Sequence, residues 1–188
     1  MKYILLSLWA VAAMAQTDER RAVGQEGPLP PIVSPCSITT TDVEGRIDNF
    51  AGGLEPTSTS AALTAFLAAI PPRSQYDETG CDKKFGETFR VCTCETCGGQ
   101  LEIRVRRCAP NAGSNDGYTI GIAPFGPGKK VTGGTVWAPS DGLTKTLVIP
   151  LSATDLNKVL CGNHASELDV YIQDDTIVDW MRLTLQHP

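Results

Sequence analysis

The residues best equipped for chemistry are seven cysteines: Cys36, Cys81, Cys92, Cys94, Cys97, Cys108 and Cys161. The densest run is Cys92-Thr93-Cys94-Glu95-Thr96-Cys97-Gly98-Gly99. In an oxidising compartment disulfides are the default, and an odd count leaves one thiol free or joined to a second chain in a disulfide-linked dimer. The run reads as a disulfide knot where a strand over 85–94 turns into one over 100–108, with Cys108 within reach if the pairing permits. Zinc is the second reading. Cys94 and Cys97 have ligand spacing, but a tetrahedral site needs four donors, and only Cys92 and Cys108 could complete it. A redox dithiol is the third, and it wants its first cysteine at a helix N-terminus. Here Gly98-Gly99 and a strand follow instead.

Acid–base chemistry has little to draw on. The histidines are His164, beside Cys161, and His187 near a loose C-terminal end. A nucleophilic Cys161–His164 pair can be drawn, but a cysteine just ahead of Gly162 reads better as half of a bridge. There is no Gly-x-Ser-x-Gly, His-Glu-x-x-His or Gly-x-Gly-x-x-Gly. Catalysis is therefore not expected, and a secreted hydrolase without a readable motif ranks third among the functions. Acidic residues gather at Asp174, Asp175 and Asp179. Calcium takes such oxygens from loops, so these three are the metal candidates, with turn-forming Asp as the plainer explanation.

The binding candidates are Tyr171 and Trp180, with Asp169, Gln173 and Arg182 beside them. Leu168, Val170 and Ile172 alternate against Asp169, Tyr171 and Gln173. Met181, Leu183 and Leu185 alternate against Val178, Trp180, Arg182 and Thr184. Pairing these two segments as a hairpin sets Tyr171 against Trp180 and Asp169 against Arg182, with 174–177 as the turn. Ile172 then faces Asp179 on the buried side, a conflict that a bulge near Asp179 would remove. Two aromatics with planar polar groups suit the stacking of a sugar ring. Cross-strand packing explains the same residues without a ligand.

The elements that must hold these residues are mostly strands. Leu101, Ile103 and Val105 alternate with Glu102, Arg104 and Arg106, as in a half-buried strand. Others fit 85–94, 118–125, 131–138, 143–151, 167–174 and 177–186, separated by turn sequences such as Gly126-Pro127-Gly128. One helix is expected between Ser58 and Ile70, where Leu63, Phe66, Leu67 and Ile70 form a stripe and Pro71-Pro72 ends it. A second, short helix fits 153–160, capped by Ser152 with Asp155 and stopped at a left-handed Gly162. Seven strands at this spacing predict a mostly β protein, an antiparallel β-sandwich or jelly roll.

The ends of the chain and its charge set the context. Residues 1–15 have a signal-peptide pattern, with an apolar run closed by Ala13-Met14-Ala15. Residues 16–35 read as a Pro/Gly-rich linker, so the single domain should span 36–188. The net charge of −5 argues against a nucleic-acid partner, and no run is long enough to span a membrane. Arg104, Arg106, Arg107, Lys129 and Lys130 read as solvated strand faces. The function expected first is a secreted, non-enzymatic module that binds carbohydrate or an extracellular matrix polymer. The alternative is a structural or adhesive protein linked by disulfides.

Overall fold

The computed structural model describes residues 36–92, 95–110 and 116–188. The signal-peptide and linker segments, and Cys94, lie outside the described residues. The described chain runs β1 (Ile38–Gly45), α1 (Ala61–Ala68), β2 (Phe85–Arg90), β3 (Gly98–Arg107), β4 (Gly117–Gly121), β5 (Lys130–Thr135), β6 (Thr144–Leu151), α2 (Ala153–Leu160), β7 (Glu167–Ile172) and β8 (Thr176–His187). Two four-stranded antiparallel sheets, ordered β1-β8-β3-β6 and β2-β7-β4-β5, form a β-sandwich.

Alternation builds the core between the sheets. Leu101, Ile103 and Val105 of β3 are wholly buried, as are Leu168, Val170 and Ile172 of β7, and Met181, Leu183 and Leu185 of β8 join them. Phe85 and Phe89 of β2 close the same core. On β3, Glu102, Arg104 and Arg106 stay half-exposed, as the period of two requires.

Both helices form where their caps place them. Ser60 Oγ accepts the Leu63 N–H at 3.0 Å, and α1 turns Leu63 and Leu67 inward, one turn apart. Ser152 Oγ accepts the Asp155 N–H at 3.1 Å at the head of α2. The stop of α2 differs from expectation. Gly162 is not left-handed; His164 is, at φ 51°. Glycine is needed at 162 for space, because a Cβ there would lie 2.3 Å from the Lys158 carbonyl oxygen.

Four further expectations are corrected. β1 was not foreseen, because its residues from Ile38 to Val43 are exposed and carry no apolar period. His187 is not a loose end: it closes β8, pairs with Ile38 and lies 2.8 Å from Thr40 Oγ1. The cysteine knot is replaced by two long-range bridges, Cys36–Cys97 and Cys81–Cys108. Those bridges occupy two sulfurs of the four-cysteine zinc set and one of the Cys94/Cys97 dithiol.

The last correction concerns the terminal hairpin. β7 and β8 do not pair, because they belong to different sheets. The buried carboxylate of Asp116 accepts the Asp175 N–H at 3.0 Å and the Thr176 hydroxyl at 2.5 Å. It thereby carries the chain from one sheet to the other instead of folding it back. The bulge at Asp179 is present, but against β3: Arg104 pairs with Trp180 and Val105 with Val178, so Asp179 is the extra residue. It also turns Val178 into the core, away from the face of Trp180.

Candidate functional site

Trp180, Arg182 and Thr184 point away from the core on β8, as the alternation predicts. The Arg182 guanidinium lies 5.1 Å from the centre of the Trp180 ring and pairs with Glu102 at 3.0 Å. Trp180 is only 9% exposed. Tyr171 and Asp169 point outward from β7, on the opposite side of the sandwich. The structure therefore does not bring Tyr171 and Trp180 together, nor Asp169 and Arg182.

Tyr171 instead meets two aromatics that sequence reasoning had not joined to it. Phe66 of α1 lies edge-on at 5.3 Å from Tyr171 and at 5.4 Å from Phe125. Phe125 and Tyr171 are 6.2 Å apart and tilted by only 33°, a shallow double platform. All three rings are half-exposed. On the strands, Tyr171 is flanked by Gly86 and Thr119. Gly86 lets α1 sit close, since a Cβ there would lie 2.6 Å from a Leu67 methyl.

A buried polar chain fixes this arrangement. Asp169, 1% exposed, accepts the Thr88 hydroxyl at 2.6 Å and the Ala123 N–H at 2.8 Å. Thr88 Oγ1 in turn accepts the Ser60 N–H at the cap of α1. Asp169 is thus a positioning residue that ties helix, strand and loop together. The loop closes on itself through Phe125 N–H to Ile122 O and Lys129 N–H to Gly126 O. It holds Phe125 at φ 55°, a conformation that a bulky side chain adopts only under constraint.

Polar groups edge the platform. Lys84 is paired with Asp174, and Gln173 directs its amide toward Asp174. Burial pushes the Tyr171 phenol up, while Lys84 draws it down and Asp174 pushes it up further.

The acidic residues divide differently. Asp174 is committed to Lys84, and Asp175 Oδ1 accepts the Asp82 N–H at 3.0 Å. Asp179 joins Asp48 and Asp77, with one carboxylate oxygen from each within 4.8 Å of the others. Asp179 is wholly buried and Asp77 is 6% exposed. Asp179 Oδ1 accepts the Phe50 N–H at 3.0 Å, and Asp48 Oδ1 accepts the Ala51 N–H at 3.1 Å. Asp179 Oδ2 and both oxygens of Asp77 have no hydrogen-bond partner among the described residues. Burial, then the charges of Asp179, Asp48 and Glu55, push the Asp77 carboxyl up to about 6 against the pull of Arg106. Asp48, Asp77 and Asp179 are scattered along the chain, so no local spacing could have revealed them.

A cleft of about 480 Å³ opens beside β1, lined among others by Leu183, Leu185, Arg90 and Cys92. Cys92 is an exposed free thiol. No helix among the described residues is long and apolar enough to cross a membrane. A β-sandwich closed by two disulfides is consistent with an extracellular module. No protein-family model, curated protein or solved structure matches the chain.

Proposed function

We propose that the chain is a secreted, non-enzymatic β-sandwich module that binds carbohydrate or another extracellular polymer on the outer face of the β2-β7-β4-β5 sheet. The observation that carries this reading is Phe125, held half-exposed at φ 55° beside Tyr171 at a 33° tilt. Strain of that kind, of order 1–3 kcal/mol, persists where the surroundings over-determine it, and such places cluster at ligand sites. Two rings tilted by 33° would offer π-faces to the C–H face of a sugar, and Gln173, Lys84 and Asp174 would supply hydrogen bonds at the edge. Trp180, Arg182 and Asp169 drop out of the ligand set and keep structural roles.

Glycan-array binding and co-sedimentation with insoluble polysaccharides test this reading. Phe125→Ala and Tyr171→Ala should each weaken binding about tenfold or more, equivalent to roughly 1.4 kcal/mol. Trp180→Ala should leave binding intact. Binding that survives both aromatic substitutions overturns the proposal.

One observation favours a second reading, a disulfide-linked structural or adhesive component. Cys92 is exposed and free, while Cys36, Cys97, Cys81 and Cys108 form two long-range bridges. A dimer band on a non-reducing gel that disappears in Cys92→Ser would support it. A purely monomeric band would dismiss it.

A further inference from the structure

The Asp48–Asp77–Asp179 cluster gathers three carboxylates, and three of its buried oxygens have no hydrogen-bond partner among the described residues. Asp77 is 94% buried by its 6% exposure, with neither oxygen hydrogen-bonded, and Asp179 is wholly buried with Oδ2 unpaired. Leaving such groups unpaired is costly, because a buried ionised carboxylate needs a counter-charge or hydrogen bonds. The Arg106 guanidinium nearby rests over the Phe50 ring at 4.4 Å.

The geometry has the dimensions of an ion site. Oxygens that share one calcium ion at 2.3–2.6 Å lie at most about 5 Å apart, and the three carboxylates bring theirs within 4.8 Å. The backbone is shaped around them. Asn49 at φ 62° and Phe50 at φ 63° are consecutive left-handed residues, and Asp77 is left-handed at φ 60°. The loop directs the Phe50 and Ala51 N–H groups at Asp179 Oδ1 and Asp48 Oδ1. Asp179 reaches the cluster because it is the extra residue of the β8 bulge. A Cβ at Gly52 would lie 2.2 Å from Asp48 Oδ2, so any side chain there would displace that carboxylate.

We infer that Asp48, Asp77 and Asp179 form a calcium site that clamps the loop after β1 and the segment before β2 to the β8 bulge. Three hard oxygen donors without histidine or thiolate select calcium or magnesium over zinc or copper. Magnesium demands tight octahedral geometry and keeps several waters, so an irregular protein cage favours calcium. Backbone carbonyls and water would complete the six to eight ligands. The site stands apart from the aromatic platform, and neither reading depends on the other.

The test uses the full chain, stripped with a chelator and titrated with calcium chloride. Calcium at about 100 times its dissociation constant should raise Tm by roughly 5–10 °C for a domain of this size. Magnesium at equal concentration should raise it less. Asp77→Asn, which keeps the shape and removes the charge, should abolish the calcium shift while raising the Tm of the stripped protein. Asp174→Asn should keep the shift. Equilibrium dialysis should find one calcium per wild-type chain and none in Asp77→Asn, a readout independent of melting. No shift and no bound calcium at about 10 mM, above the affinity range of extracellular calcium modules, overturns the site. So does a shift that survives in Asp77→Asn, or one lost in Asp174→Asn.

Discussion

Glu87 on β2 is wholly buried, and its environment sets a pH dependence that can be measured. Burial pushes its carboxyl up from 4.5 to about 7, although the Thr88 and Ser58 N–H groups pull the other way. The folded chain therefore holds this proton where the unfolded chain releases it. Its stabilising effect is complete below pH 4.5 and is lost as pH rises toward 7. The loss amounts to roughly 3 kcal/mol. Glu87→Gln should flatten that slope and leave the variant more stable than wild type above pH 7, as read by urea unfolding across that window. Trp180 belongs to the same scale. At 9% exposure it is a packing residue, so Trp180→Ala should cost roughly 3 kcal/mol in the same assay. A near-neutral result would return Trp180 to the list of surface ligand residues.

At the scale of elements, α1 is the part most open to test. It has only eight residues, too few to be stable alone, and is held by its Ser60 cap and by contact with Gly86. Gly86→Ala would set a methyl 2.6 Å from Leu67 Cδ1 and 3.2 Å from Leu63 Cδ2. Overpacking of this kind costs roughly 1–3 kcal/mol. Because Gly86 pairs with Tyr171 and α1 carries Phe66, the same change should weaken polysaccharide co-sedimentation as well as lower Tm. Stability lost with binding fully retained would show that the platform does not need the helix. The existence of both helices was legible, because Ser60 and Ser152 sit before apolar stripes with the spacing of caps. The edge strand β1 was not, because neither of its faces is covered along most of its length and no burial imposes a period.

On the scale of the whole molecule, two bridges join segments far apart in the chain. Cys36–Cys97 spans 61 residues and ties the start of β1 to the start of β3. Its removal in a Cys36→Ser/Cys97→Ser variant should cost roughly 2–4 kcal/mol. Hydrogen exchange should then rise first in β1, an edge strand with one neighbour. Uniform loss of protection would mean that the bridge braces the core rather than the edge.

The sequence by itself determined the class of the fold, the positions of seven strands and two helices, and the faces of β3, β7 and most of β8. It did so because burial on one side of a strand imposes a period of two, and a register slip would expose the whole apolar set. The bulge at Asp179 was expected for a pairing with β7 that does not form, and occurs instead against β3. Tertiary structure alone decided which sheet each strand joins. Alternation records which side of a strand is buried, not which neighbour it pairs with, so β7 and β8 looked equally suited to a hairpin. The deciding contacts come from Asp116, which is 59 residues from Asp175 and 60 from Thr176. The same distance in sequence hid the aromatic platform, the two disulfide pairings and the Asp48–Asp77–Asp179 cluster. Each forms only when packing brings together side chains whose local patterns carry no trace of one another.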